Sequence, residues 1–113
     1  MFGSILKRIA GIQKNDVTLD EVRSASQTGS AHLVDVREAP EFRSGHIPGS
    51  VNMPLSRFDA ADLPRDKPVI LICLSGARSA RALGQCPDSK ANQFRHFRAG
   101  VAGWRASGET LVT

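Results

Sequence analysis

Cys73-Leu-Ser-Gly-Ala-Arg78-Ser79 gathers a thiol, two hydroxyls and a guanidinium into seven residues. Cysteine reacts as its thiolate, and a free thiol pKa of about 8.5 falls to roughly 3.5–7.5 beside cations or helix N-termini. Gly76 lets the chain turn without a Cβ clash, so successive amides can converge on the sulfur. Ser75 and Ser79 add hydroxyl donors, and Arg78 adds a positive charge. The same donors would hold a thiolate, a thiolate bearing one further sulfur, or an incoming oxyanion. The chemistry on offer is nucleophilic sulfur chemistry without an adjacent histidine base.

The flanking residues set where that loop sits. Val69-Ile-Leu-Ile72 is a continuous apolar run of the kind found in buried parallel strands. Ala77 to about Gln85 carries good helix formers and stops at Pro87. Cys73 therefore lies at the carboxyl end of a strand and faces a helix N-terminus, where open α/β sheets keep their ligand sites.

Upstream, Thr18-Leu-Asp-Glu21 fits a capping box opening a helix that ends near Gly29, with Leu19, Val22 and Ser26 on one face. His32 to Arg37 reads as a strand with Leu33, Val34 and Val36 buried. Asp35 and Arg37 share a face of it, either framing the active loop or pairing to tie strands together. Glu38 to Gly45 is a short helix with Pro40 in its first turn. His46-Ile-Pro-Gly49 is a type II turn, in which His46 is either a general acid–base or a hydrogen-bonding brace.

Val51 to Met53 is a brief strand halted by Pro54, followed by helical turns over Leu55–Leu63 with Leu55, Phe58 and Ala61 inward. Cys86 is either a resolving thiol or a half-buried bystander. Asp88 to Gln93 reads as a loop, Phe94 to Arg98 as the last strand, and Trp104 as a packing residue. Strands alternating with helices define an α/β fold with a mostly parallel sheet covered on both faces.

The totals narrow the function. A chain of 113 residues with 41% hydrophobic and 23% charged content supports one core without staples. The net charge of +4 comes from dispersed Lys and Arg, so direct nucleic-acid binding is not expected. Two cysteines without a CxxC pair, and histidines at 32, 46 and 96, make neither a disulfide scaffold nor a metal site. No cofactor motif is present. No run reaches the roughly 20 apolar residues of a transmembrane helix, and the N-terminus lacks the order of a secretory leader, so a cytoplasmic location is expected. Residues 1–15 are expected to form an N-terminal extension, either an amphipathic helix for a membrane or partner, or a helical or frayed segment.

Four motifs carry a family resemblance: Asp35-Val-Arg-Glu38, Glu41-Phe-Arg-Ser-Gly-His-Ile-Pro-Gly-Ser-Val-Asn52, Cys73-Leu-Ser-Gly-Ala-Arg-Ser79 and Ala99-Gly-Val-Ala-Gly-Trp104. In this order they resemble the single-domain rhodaneses, thiosulfate sulfurtransferase-like proteins, from about Val17 to Val112. The resemblance implies a rhodanese-like domain over residues 16–113, with a mostly parallel five-stranded sheet and helices on both faces. It implies that Cys73 is catalytic, taking a sulfane sulfur as a persulfide from thiosulfate or another persulfide and passing it to a thiol or cyanide. Leu74, Ser75, Gly76, Ala77, Arg78 and Ser79 would cradle the substrate, with Asp35 and Arg37 supporting.

Leu74 is apolar where many relatives are polar or basic, which favours the alternative of a sulfur-relay or binding module loaded by a protein partner. A phosphatase or arsenate reductase on the same fold would have a longer loop than the four residues between Cys73 and Arg78.

Overall fold

A computed structural model of the chain describes residues 15–87 and 93–113. Residues 1–14 of the expected extension over residues 1–15, and most of the Asp88–Gln93 loop, lie outside them. Helix α1 spans Leu19–Thr28, strand β1 His32–Asp35, helix α2 Ala39–Ser44 and strand β2 Ser50–Asn52. Two 3-10 turns, Leu55–Arg57 and Ala60–Asp62, lead to strand β3 at Val69–Ile72 and helix α3 at Ala77–Gly84. Strand β4, Phe94–His96, and helix α4, Gly100–Ala106, complete the order.

The four strands form one parallel sheet in the order β2-β1-β3-β4. Five strands were expected. Among the described residues the fifth place holds a single parallel rung, Asp16 beside His96. Two hydrogen bonds make that rung, His96 N–H to Asn15 O at 3.0 Å and Val17 N–H to His96 O at 3.1 Å. Beyond Val17 the ladder stops, because Thr18 is the N-cap of α1. Thr18 Oγ1 accepts from the Glu21 amide at 3.1 Å, and Glu21 Oε1 accepts from the Thr18 amide at 3.1 Å, the reciprocal capping box the sequence predicts.

Strand alternation divides the core in two. Leu33, Ile70, Ile72 and Phe97 pack on one face with Val22, Val101 and Trp104 from α1 and α4. Val34, Val36, Val69, Leu71 and Cys73 pack on the other with Ala82 of α3 and Leu63. All four residues of β3 are buried, each side chain stabilising the fold by roughly 1.5–3 kcal/mol through removal from water. In the Leu55–Leu63 stretch the 3-10 period replaces the expected helical one. Ala60 packs inward instead of Ala61, which is exposed, while Leu55 and Phe58 pack as expected.

Among the described residues no helix is long and apolar enough to cross a membrane.

Candidate active site

The loop after β3 closes around the sulfur. Gly76 N–H donates to Cys73 Sγ at 3.0 Å, and Ser79 Oγ stands 3.6 Å from it. Cys73 is 1% exposed. Burial pushes its thiol pKa up, but the Ser79 hydroxyl and the backbone amides of Ser79, Gly76 and Ser75 pull it further down, and the net shift is downward.

The amides point inward because the loop carbonyls are engaged elsewhere. Val101 N–H takes Cys73 O at 2.9 Å and Ala102 N–H takes Leu74 O at 3.0 Å, both from the first turn of α4. Backbone then lies on backbone. A Cβ on Gly76 would meet Arg98 O at 2.5 Å, and one on Gly100 would meet Leu74 O at 2.3 Å. Both glycines also hold positive φ, +100° and +66°. The Arg98–Gly100 corner is thus a wall of the sulfur loop, although the sequence assigns it no chemistry.

Arg78 does not stand open to an anion. Its two terminal nitrogens bind Glu41 Oε1 and Oε2 at 2.7 and 3.0 Å, and this pairing holds the Glu41 carboxyl below its usual range. Glu41 also caps α2 by accepting from the Glu38 amide at 3.1 Å, so one carboxylate joins α2 to α3. Leu74 is 44% exposed and lies beside a cavity of about 640 Å³ lined by Arg37, Glu41, Leu74, Val101, Arg105 and Leu111.

Asp35 and Arg37 form an ion pair, with Arg37 Nη2 2.9 Å from Asp35 Oδ2; they are 0% and 4% exposed. Arg37 also donates to Gly45 O at 2.8 Å, pinning the end of α2. Their position is that of a structural frame. His46 is a brace, with Nδ1 2.8 Å from Phe42 O, its ring stacked on Phe42 and its backbone paired with Val112. Cys86, half-buried with a thiol pKa raised by burial, lies outside the loop.

One residue near the sulfur escaped the sequence reading. His96 Nδ1 is 2.9 Å from Ser79 Oγ, and its Nε2 is 3.2 Å from Asp16 Oδ1. A histidine thus lies one hydroxyl away from Cys73, where no histidine base was expected. The signal was alternation: His96 follows Phe94 by two residues and so shares its inward face. Register completes the placement, because His96 pairs with Leu71, on the Cys73 side of the sheet.

Known proteins match this architecture. The rhodanese-like domain model matches residues 18–107, and the chain belongs to that family. The slr1261 protein of Synechocystis is 36% identical over 97 residues, which are 84% of this chain and 52% of that protein. A sulfurtransferase of Allochromatium vinosum is 28% identical over 77% of this chain and 83% of its own length. The crystal structure of a rhodanese-related protein from Thermoplasma volcanium superposes with a TM-score of 0.71 at 26% identity, covering 87% of this chain and 97% of that one. The chain spans about half the length of the first of these relatives and most of the other two. The protein has the α/β fold of the rhodanese-like domains.

Proposed function

We propose that the protein transfers sulfane sulfur through a persulfide on Cys73. The observation that carries this reading is the short contact from Gly76 N–H to Cys73 Sγ, 3.0 Å, at the base of a loop whose carbonyls are turned outward. In the first half-reaction the Cys73 thiolate attacks the outer sulfur of thiosulfate. The S–S bond of the donor breaks, sulfite leaves with the electron pair, and Cys73 holds a persulfide. In the second half-reaction a thiolate or cyanide takes the terminal sulfur and the Cys73 thiolate returns. Leu74 to Ser79 supply the cradle, and Asp35 with Arg37 keeps its frame rigid.

No oxidant enters either step, and two reduced cysteines suit a reducing, cytoplasmic setting. The test is steady-state thiocyanate formation from thiosulfate and cyanide. Turnover that depends on Cys73 is expected, and equal turnover in Cys73→Ser would overturn the reading.

A second reading has its own observation. Leu74 exposes an apolar side chain at the edge of the cavity, a surface better suited to a protein or bulky thiol than to a small dianion. In that case Cys73 is loaded by a partner persulfide. Slow loading from thiosulfate with fast loading from a persulfidated protein, lost in Leu74→Lys, selects it.

A further inference from the structure

The geometry points to a buried proton relay, Cys73–Ser79–His96–Asp16, in which His96 is the positioning residue that takes the Cys73 proton through the Ser79 hydroxyl. The inference rests on Cys73 being the nucleophile of the sulfur-transfer reading.

The links are contiguous. Cys73 Sγ to Ser79 Oγ is 3.6 Å, Ser79 Oγ to His96 Nδ1 is 2.9 Å, and His96 Nε2 to Asp16 Oδ1 is 3.2 Å. Cys73 and Ser79 are sealed from solvent, His96 is 8% exposed, and the Asp16 side chain is equally covered. The four residues come from the loop after β3, α3, β4 and the segment before α1, so the fold assembles the chain from four separate places.

The direction of each bond follows from Asp16. A carboxylate at Nε2 requires the proton there, which leaves Nδ1 as an acceptor. The Ser79 hydroxyl has one hydrogen and two acceptors within reach, Nδ1 at 2.9 Å and Gly76 O at 3.2 Å. Donating to Nδ1 leaves the Ser79 oxygen to accept the thiol hydrogen of Cys73. The charged groups that act on His96 are Asp16, which favours its protonation, and Arg98, which opposes it and lies 3.7 Å from Asp16. Burial is the largest influence on His96 and disfavours the imidazolium, and Asp16 offsets it only in part.

The step balances without a co-reactant. The Cys73 S–H bond breaks as its proton moves to Ser79 Oγ, and the former Ser79 hydrogen moves to His96 Nδ1. The products are a thiolate held by the Gly76 amide and the Ser79 hydroxyl, and an imidazolium facing Asp16. After the persulfide has been discharged, the reverse transfer restores the thiol. Cys73 and His96 therefore titrate as a coupled pair.

The test is thiolate formation followed by ultraviolet absorbance against pH, in a Cys86→Ser background, with folding checked by circular dichroism. His96→Asn is expected to raise the apparent Cys73 pKa by about one unit, cutting the thiolate fraction by up to about tenfold below that pKa. Ser79→Ala is expected to raise it at least as far, and the double variant to match Ser79→Ala alone, because both changes cut one path. Should His96→Asn unfold the protein, 15N spectra of the His96 ring replace it, with the imidazolium persisting to higher pH in Cys86→Ser than in the Cys73→Ser/Cys86→Ser pair. An unchanged thiol titration in His96→Asn, a full second effect of His96→Asn on top of Ser79→Ala, or identical His96 titrations with and without Cys73 would each overturn the relay. Persulfide formation is read separately by mass. A protein that shows the coupling but takes no sulfur retains the relay and loses the sulfur-transfer reading; the reverse result loses only the relay.

Discussion

Glu41 and Arg78 grip each other through two hydrogen bonds, 2.7 and 3.0 Å, across the gap between α2 and α3. The only guanidinium in the Cys73 loop is thus balanced by a carboxylate, and the sulfur is stabilised by the hydroxyl and amides around it.

Glu41→Gln is therefore expected to have two opposite effects. Stability should fall by about 0.5–1 kcal/mol in urea, the scale of a partly exposed ion pair. The KM for thiosulfate should fall severalfold at low salt, because the freed positive charge draws a dianion. The pH sign follows from the depressed Glu41 pKa: the ion pair contributes fully above the ordinary carboxylate range and is lost as pH falls through the folded-state pKa. A KM unchanged in Glu41→Gln at all salt concentrations would mean that Arg78 does not act on the donor.

Asp35→Asn leaves Arg37 buried opposite a neutral partner. About 3–5 kcal/mol of stability should be lost, read as a lower urea midpoint with the slope preserved. A loss below about 1 kcal/mol would mean that the pair is dispensable to the frame.

Gly100→Ala tests the backbone contact between the α4 corner and the sulfur loop. The added methyl meets Leu74 O, Leu74 C and Cys73 O within 2.6 Å at a positive φ, so the corner must move. The left-handed backbone alone costs about 1–3 kcal/mol, and displacement of Leu74 should also abolish the low thiol pKa of Cys73. Normal alkylation kinetics at Cys73 in a folded Gly100→Ala protein would contradict the account.

The opposite pKa directions of the two cysteines give a chemical prediction. Near neutral pH the thiolate fraction of Cys73 should exceed that of Cys86, whose thiol burial pushes up. Peptide mapping after brief treatment with a small alkylating agent should locate the label on Cys73, and preferential labelling of Cys86 would reverse the assignment.

Local chemistry made most of the fold legible. The Thr18–Glu21 box, the four buried apolar residues of β3 and the Pro48–Gly49 turn each follow from neighbours in sequence, and each stands where the pattern puts it. What the sequence hid is long-range. Glu41 meets Arg78 from 37 residues away, and His96 reaches Ser79 from 17, contacts that only the parallel registers of β1 with β3 and of β3 with β4 bring together. Among the described residues the fifth strand is a single rung, because the capping box at Thr18 turns the chain into α1 just beyond it.

The central claim is that Cys73 carries sulfur. Intact mass after incubation with thiosulfate, with and without reductant, on the native protein and on Cys73→Ser, tests it most directly. The account predicts a gain of one sulfur, about 32 Da, on the native protein alone and removed by reductant, as persulfide chemistry at a single activated thiol requires. The same adduct on Cys73→Ser, or none on the native protein with either thiosulfate or a protein persulfide as donor, would contradict it.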